Sequence, residues 1–223
     1  MKYLAIGIML GALAANGMAD KATTGGGEGK AKQEATKGAV SVQAKGGAQA
    51  DRQPLAGAAF DKKLDAMGIK FHVLATSGTA TNKLQIIPSG LKGDNIPILR
   101  DIEGVVKDCE WGDINSDGSP EVYVFVASAG PDANDVLVAY SANNKKSLSE
   151  IYLSPVADDP KLSKGFHGHA DIAVVENVVA LRFPIYEGTG AEAKPTGKTR
   201  QVQYKLKPGE AGWKLKVDKV VEY

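Results

Sequence analysis

Strict alternation of apolar and polar residues recurs along this chain from about residue 60 onward, and it leaves few folds open. In "GWKLKVDKV", Trp213, Leu215 and Val217 alternate with Lys214, Lys216 and Asp218. "RQVQYKL" sets Val202, Tyr204 and Leu206 against Gln201, Gln203 and Lys205, and "IKFHVLA" places Ile69, Phe71 and Val73 on one side. Successive side chains of a strand point to opposite faces, so each stretch predicts a strand with one dry and one wet face. That is the habit of antiparallel sheets.

The connections carry turn chemistry. "NSDGSP" at 115–120 and "PSGLKGDN" at 88–95 read as loops, and "KPGEAG" at 207–212 as a hairpin. "AVVENVVALRF" predicts a tight turn at Glu176 and Asn177, because Asn tolerates the left-handed backbone such turns need. "AFDKKLDAMG", 59–68, reads as one short helix that opens the domain and is stopped by Gly68. The expected fold is all-β: a small antiparallel β-sandwich or open barrel with one short N-terminal helix.

The first residues, "MKYLAIGIMLGALAANGMADK", combine Lys2, an apolar run over 4–15 and small residues before a cut after Ala19. This is the pattern of a secretory signal peptide over 1–19. The apolar run falls short of the ~20 residues that span a bilayer. No Cys follows it to take a lipid, so no membrane anchor is expected. Residues 20–57 are rich in Gly, Ala, Lys and Gln and poor in large apolar side chains. Such a segment buries too little surface to offset chain entropy and reads as a disordered tether. Residues 58–223 then form one domain.

Lys and Arg number 27 against 26 Asp and Glu, for a formal net charge of +1. With no basic block, nucleic acid is not an expected partner. Cys109 is the only cysteine, so no intramolecular disulfide forms even in an oxidising compartment. It alternates with Val105 and Trp111 at strand spacing and reads as a buried small hydrophobe.

Two segments hold groups that can bind metal. "DINSDGSPE" sets Asp113, Asn115, Asp117 and Glu121 at alternate positions around Gly118, as at the start of an EF-hand-type calcium loop. The closing bidentate Glu is missing, since Val124 takes its place. The other reading of the same residues is an Asx-rich turn whose carboxylates hold backbone amides. "GFHGHAD" offers His167, His169 and Asp171, which could hold zinc, although the flanking glycines favour a loop with polar contacts. No G-x-S-x-G elbow, phosphate-cradling Gly loop or Cys–His signature is present, so a binding protein is expected rather than an enzyme.

The segments "DINSDGSPEVYVF", "LVAYSANNKKSLSEIYL", "GFHGHADIAVVEN", "RFPIY" and "KPTGKTRQVQYKL" follow one another across the domain. In them the chain resembles the periplasmic inhibitors of invertebrate-type (I-type) lysozyme. The resemblance implies a periplasmic location and a compact antiparallel β fold, often a homodimer, that blocks a lysozyme by inserting loops into its substrate cleft. It implies two contact loops. The first is "SAGPDAND", with Ser128, Gly130, Asp132, Asn134 and Asp135, where the family's Ser-Gly-x-Tyr-type motif stands. Here the Tyr is absent and acids have been gained, which lysozyme's own catalytic carboxylates would repel by several kcal/mol. The second is "KPTGKTRQ", where Thr196, Lys198 and Arg200 offer donors suited to carboxylates, the other reading being that Pro195 and Gly197 shape a turn leading into the last hairpin. The alternative is a non-inhibitory periplasmic binding module that holds calcium at Asp113, Asn115, Asp117 and Glu121.

Overall fold

The computed structural model describes residues 52–78, 81–130, 133–210 and 212–223. The expected signal peptide and most of the expected tether lie outside the described residues. The end of the tether does not: the Gln85 side chain, itself buried, accepts from the Leu55 amide at 2.8 Å and donates to the Gln53 carbonyl at 2.9 Å. Among the described residues no helix is long and apolar enough to cross a membrane.

Among the described residues, twelve strands form two sheets. β1 (Phe60–Ala66), β2 (Ile69–Ala75), β3 (Thr81–Ser89) and β4 (Ile98–Glu103) form a four-stranded antiparallel meander. The second sheet has eight strands: β5 (Val105–Gly112), β6 (Glu121–Ala127), β7 (Asp135–Asn143), β8 (Ser147–Leu153), β9 (Asp171–Val175), β10 (Val178–Glu187), β11 (Lys194–Pro208) and β12 (Trp213–Glu222). Their spatial order is β5-β6-β7-β8-β12-β11-β10-β9. This sheet curls until its two edges nearly meet, where the Val174 amide of β9 donates to Glu110 Oε1 of β5 at 3.3 Å. The fold is therefore all-β, a barrel-like sheet covered on one side by a second sheet. β8 and β12 pair in parallel, the one exception to antiparallel pairing among the described strands.

β6 explains the double architecture. "EVYVFVA" is apolar on both faces and is buried from Glu121 to Val126, the pattern of a strand covered on both sides. Val122, Val124 and Val126 face the four-stranded sheet and pack with Phe71, Val73 and Leu84. Tyr123 and Phe125 point the other way, into the barrel, with Leu181, Phe183 and Val202. The core thus lies in two layers that share one strand.

The stretch 59–68 is a strand and a turn, not the expected helix. Phe60 and Leu64 stand four apart, a spacing common to one helical turn and to two strand pleats, so the apolar pair could not decide between them. Met67 and Gly68, at φ 55° and 85°, close a two-residue turn. Left-handed backbone at both central positions is what a type I′ hairpin requires, with Gly favoured second. β1 then pairs with β2 along its whole length.

Two strand faces differ from the expected ones. An extra residue at Lys107 in the β5–β6 ladder shifts the phase, so Val106 joins Cys109 inside while Val105 is exposed. Trp111, expected beside Cys109, is also exposed. In β12 Leu215 is buried as expected, but Val217, opposite Tyr204 and just before a second irregularity at Asp218, is exposed. Cys109 itself is fully buried, and burial pushes its thiol up to about 12, which makes it unreactive. At the β9–β10 hairpin the turn falls on Glu176 and Asn177 as expected, but Glu176 takes the positive φ, 53°. A two-residue turn in which only the first central residue has positive φ matches the mirror-type II′ pattern.

Tyr204 lies in the barrel core, and its hydroxyl has no hydrogen-bond partner among the described residues. A buried unsatisfied hydroxyl costs about 1–3 kcal/mol. Tyr204→Phe is therefore expected to raise the unfolding free energy by about 1 kcal/mol, read from a chemical denaturation curve with unchanged slope.

Candidate functional site

The tip between β6 and β7 is pinned at its base. The Ser128 amide donates to the Asn134 carbonyl at 2.9 Å, and the Asn134 amide returns to Ser128 Oγ at 2.8 Å. Ser128 is half-buried by this, while Ala129 and Gly130 are exposed. Gly130 has φ 116° with open space where a Cβ would stand, so backbone conformation, not crowding, selects glycine there. Asp132 lies outside the described residues.

The same tip is bonded to the segment 165–171. The His169 amide donates to the Ala133 carbonyl at 3.0 Å, and the Ala170 amide to Asn134 Oδ1 at 3.1 Å. The Asp135 amide donates to the Ala170 carbonyl at 2.8 Å, and Asp135 Oδ2 accepts from the Ile172 amide at 3.3 Å. Asp135 is not a free acid at the tip. Its side chain is only 8% exposed, and Lys107 Nζ approaches its two oxygens at 2.7 and 3.0 Å. That carboxylate raises the Lys107 pKa further above its ordinary value. One of the two acidic charges that would repel a lysozyme's carboxylates is thus turned inward and neutralised.

"KPTGKTRQ" is not a separate loop but the first half of β11, paired with β10 from Lys194 onward across an irregularity between Pro184 and Tyr186. Thr196 Oγ1 donates to the Ile185 carbonyl at 2.8 Å and accepts from the Lys198 amide at 3.2 Å. Lys198 is exposed. Arg200, read in the sequence as a donor for a partner, is spent inside the fold. It is buried, with Nη1 donating to the carbonyls of Leu162 at 2.7 Å and Lys164 at 2.8 Å, while Nε and Nη2 reach Glu222 Oε1 at 2.9 and 2.7 Å. Arg200 continues the inward-facing series Val202, Tyr204 and Leu206 of β11, opposite Phe183 of β10, so its side chain is carried inside.

Between the two expected contact regions lies an aromatic cluster that sequence reading passed over. Tyr186 on β10 has the His167 ring centroid at 5.3 Å and the His169 centroid at 6.4 Å, the latter nearly parallel. The Tyr186 amide donates to the Gly165 carbonyl at 2.9 Å. Tyr186 in turn pairs with Pro195 of β11. The 165–171 segment therefore bridges the β6–β7 tip to the β10–β11 hairpin, and the three make one continuous surface. The two imidazoles serve as faces for Tyr186; among the described residues they do not join a third ligand in a metal-sized cluster. Tyr186 lies outside both quoted loops in sequence, and only the phrase "RFPIY" marked it.

The 113–121 loop does gather carboxylates. Oxygens of Asp113, Asp117 and Glu121 lie within 4.8 Å of one another. Each is also engaged locally. Asp113 accepts the Asp117 and Gly118 amides at 3.0 and 2.9 Å, Asp117 accepts the Ser119 amide and the Asn115 side-chain amide at 2.8 Å each. Glu121 is fully buried and accepts from the Ile114 amide at 3.0 Å and the Tyr123 hydroxyl at 3.3 Å. Burial first, and then the negative Asp113 and Asp117, push its carboxyl up to about 7. Val124, at the position of the missing ligand, faces the other core layer. Both readings of the sequence thus describe the loop: its acids hold amides, and they also stand together. Comparison of the chain with family models, curated proteins and solved structures finds no match in any of the three.

Proposed function

We propose that this protein is exported to the periplasm and inhibits a peptidoglycan-cleaving lysozyme, presenting the β6–β7 tip to the enzyme's substrate cleft. The observation that carries this reading is the clamping of that tip onto the 165–171 segment. A loop whose base is fixed before binding loses less freedom on binding, which is what a cleft-filling inhibitor needs. The exposed Ala129 and Gly130 present backbone amides and carbonyls at the apex. Tyr186 with His167 and His169 supplies an apolar, stackable face beside it, in place of the Tyr that the tip lacks. Lys198 adds an exposed cation suited to a catalytic carboxylate. The N-terminal pattern and the β scaffold agree with an exported binding protein whose function sits in its loops.

The test is inhibition and direct binding against I-type, c-type and g-type lysozymes. Nanomolar inhibition of one class is expected, and absence of binding to all three refutes the reading. Lys198→Glu is expected to weaken that inhibition about tenfold or more by placing like charges together, with an unchanged melting temperature because the side chain is exposed.

A second reading is favoured by the gathered carboxylates of Asp113, Asp117 and Glu121: the loop binds calcium. With three carboxylates and no closing bidentate Glu, the affinity expected is that of weak extracellular sites, about 10⁻⁴–10⁻³ M. Calorimetric titration with calcium is expected to show one saturable site that Asp117→Asn removes. Titration without heat and without a rise in melting temperature removes this reading and leaves the Asx-turn role alone.

A further inference from the structure

We propose that the barrel mouth beside β7 binds a small amphiphile: one short alkyl chain or single aromatic ring bearing a cationic head group. The cavity there measures about 240 Å³. Leu137, Leu153, Val156, Phe166, Ile172 and Leu181 wall it. Val156, Ile172 and Leu181 are also members of the barrel core, so the floor of the cavity is the packed interior itself. Size selects the ligand. An apolar cavity of about 150 Å³ accepts benzene, whereas pockets for drug-sized molecules begin near 300 Å³. The volume here suits one substituted ring or a chain of several carbons.

Charge selects the head group. The polar lining is confined to Asn134, Asp135 and Ser154. The side-chain oxygens of Asn134 and Asp135 already accept the Ala170 and Ile172 amides. Ser154 also lines an adjoining recess with Asp158, Asp159 and Lys161. Asp171, between the lining residues Ala170 and Ile172 in sequence, stands 3.8 Å from Lys107, the cation that pairs with Asp135. Four carboxylates, Asp135, Asp158, Asp159 and Asp171, thus outnumber the ammonium groups of Lys107 and Lys161. A cationic head is drawn to that field and an anionic one is repelled by it. This site needs no lysozyme and stands apart from the inhibitory reading.

The experiment titrates the purified chain with hexylammonium, hexanol and hexanoate, followed by calorimetry and by melting temperature. Hexylammonium is expected to saturate one site and raise the melting temperature, with hexanoate about tenfold weaker or more. Ala157 is exposed at the rim, so Ala157→Trp should cap the mouth and abolish binding without disturbing the core. Asp158→Lys, also at an exposed position, should lower hexylammonium affinity about threefold and narrow the gap to hexanoate. Absence of saturable binding, or binding unchanged in Ala157→Trp, overturns the site. Equal affinity for hexanoate and hexylammonium overturns the cationic head group.

Discussion

Replacing Arg200 with alanine is expected to lower the unfolding free energy by about 4 kcal/mol, among the largest effects open to a single substitution in this fold. The guanidinium is buried and donates to the carbonyls of Leu162 and Lys164 and to Glu222. Removing it leaves two inward-facing carbonyls without donors and a carboxylate without its partner. It also removes the cation that lies over the Phe183 ring at 5.7 Å. Arg200→Lys should recover only part of the loss, because a single ammonium cannot serve the carbonyls and Glu222 in the planar fork that Arg presents. The effect reaches the candidate site. Leu162 and Lys164 lead into the 165–171 segment, which holds the β6–β7 tip, so loosening them loosens the clamp. Denaturation midpoints of the two variants measure the prediction. A loss of partner binding in Arg200→Ala with no loss of stability would mark Arg200 as a contact residue instead.

The second large effect is a dependence of stability on pH that Glu121 controls. Its carboxyl keeps its proton up to about 7 in the folded protein, against about 4.3 in an unfolded chain. Between those values the folded state binds more protons than the unfolded one, so stability falls as pH rises. The stabilisation is full below about pH 4.3 and is lost by the time pH has passed 7. At roughly 1.4 kcal/mol for each tenfold change in an ionisation constant, the loss is about 4 kcal/mol. Asp108, whose pKa is lowered chiefly by its hydrogen bond to Lys62, works in the opposite sense. Its contribution disappears only as pH falls below the ordinary Asp range, so a scan from pH 5 to 8 isolates Glu121. Unfolding free energies measured over that range in the presence of a chelator are expected to decline in the natural chain and to stay nearly flat in Glu121→Gln. A slope that survives in Glu121→Gln would assign the proton to another group.

Much of the strand pattern was legible because its cause is local. Side chains alternate across a pleat, so "RQVQYKL" announces which residues are buried whatever packs upon them. The turn residues at 115–120, 176–177 and 207–212 likewise act through their own backbone preferences. The 59–68 stretch misled because a spacing of four satisfies two periods, and only the partner strand β2 decided between them. The bulge at Lys107 moved Val105 outward, since the phase of a ladder depends on its neighbour.

The site divides in the same way. Asp113, Asn115, Asp117 and Glu121 lie within nine residues of one another, and the spacing around Gly118 was enough to bring the oxygens of Asp113, Asp117 and Glu121 together. Asp135 and Arg200 were chosen as contact residues for their chemistry. Lys107 lies 28 positions from Asp135, and Leu162 38 from Arg200, and these partners turn both charges inward. The aromatic face made by Tyr186, His167 and His169 arises where strand β10 meets the 165–171 segment. The sequence alone therefore determined the all-β class, the strand faces and the acidic turn, because each follows from residues near one another in the chain. Which charges are exposed, which loops are clamped together and where the barrel opens were decided only by the tertiary structure. Burial and pairing depend on residues that the chain brings together only when it folds.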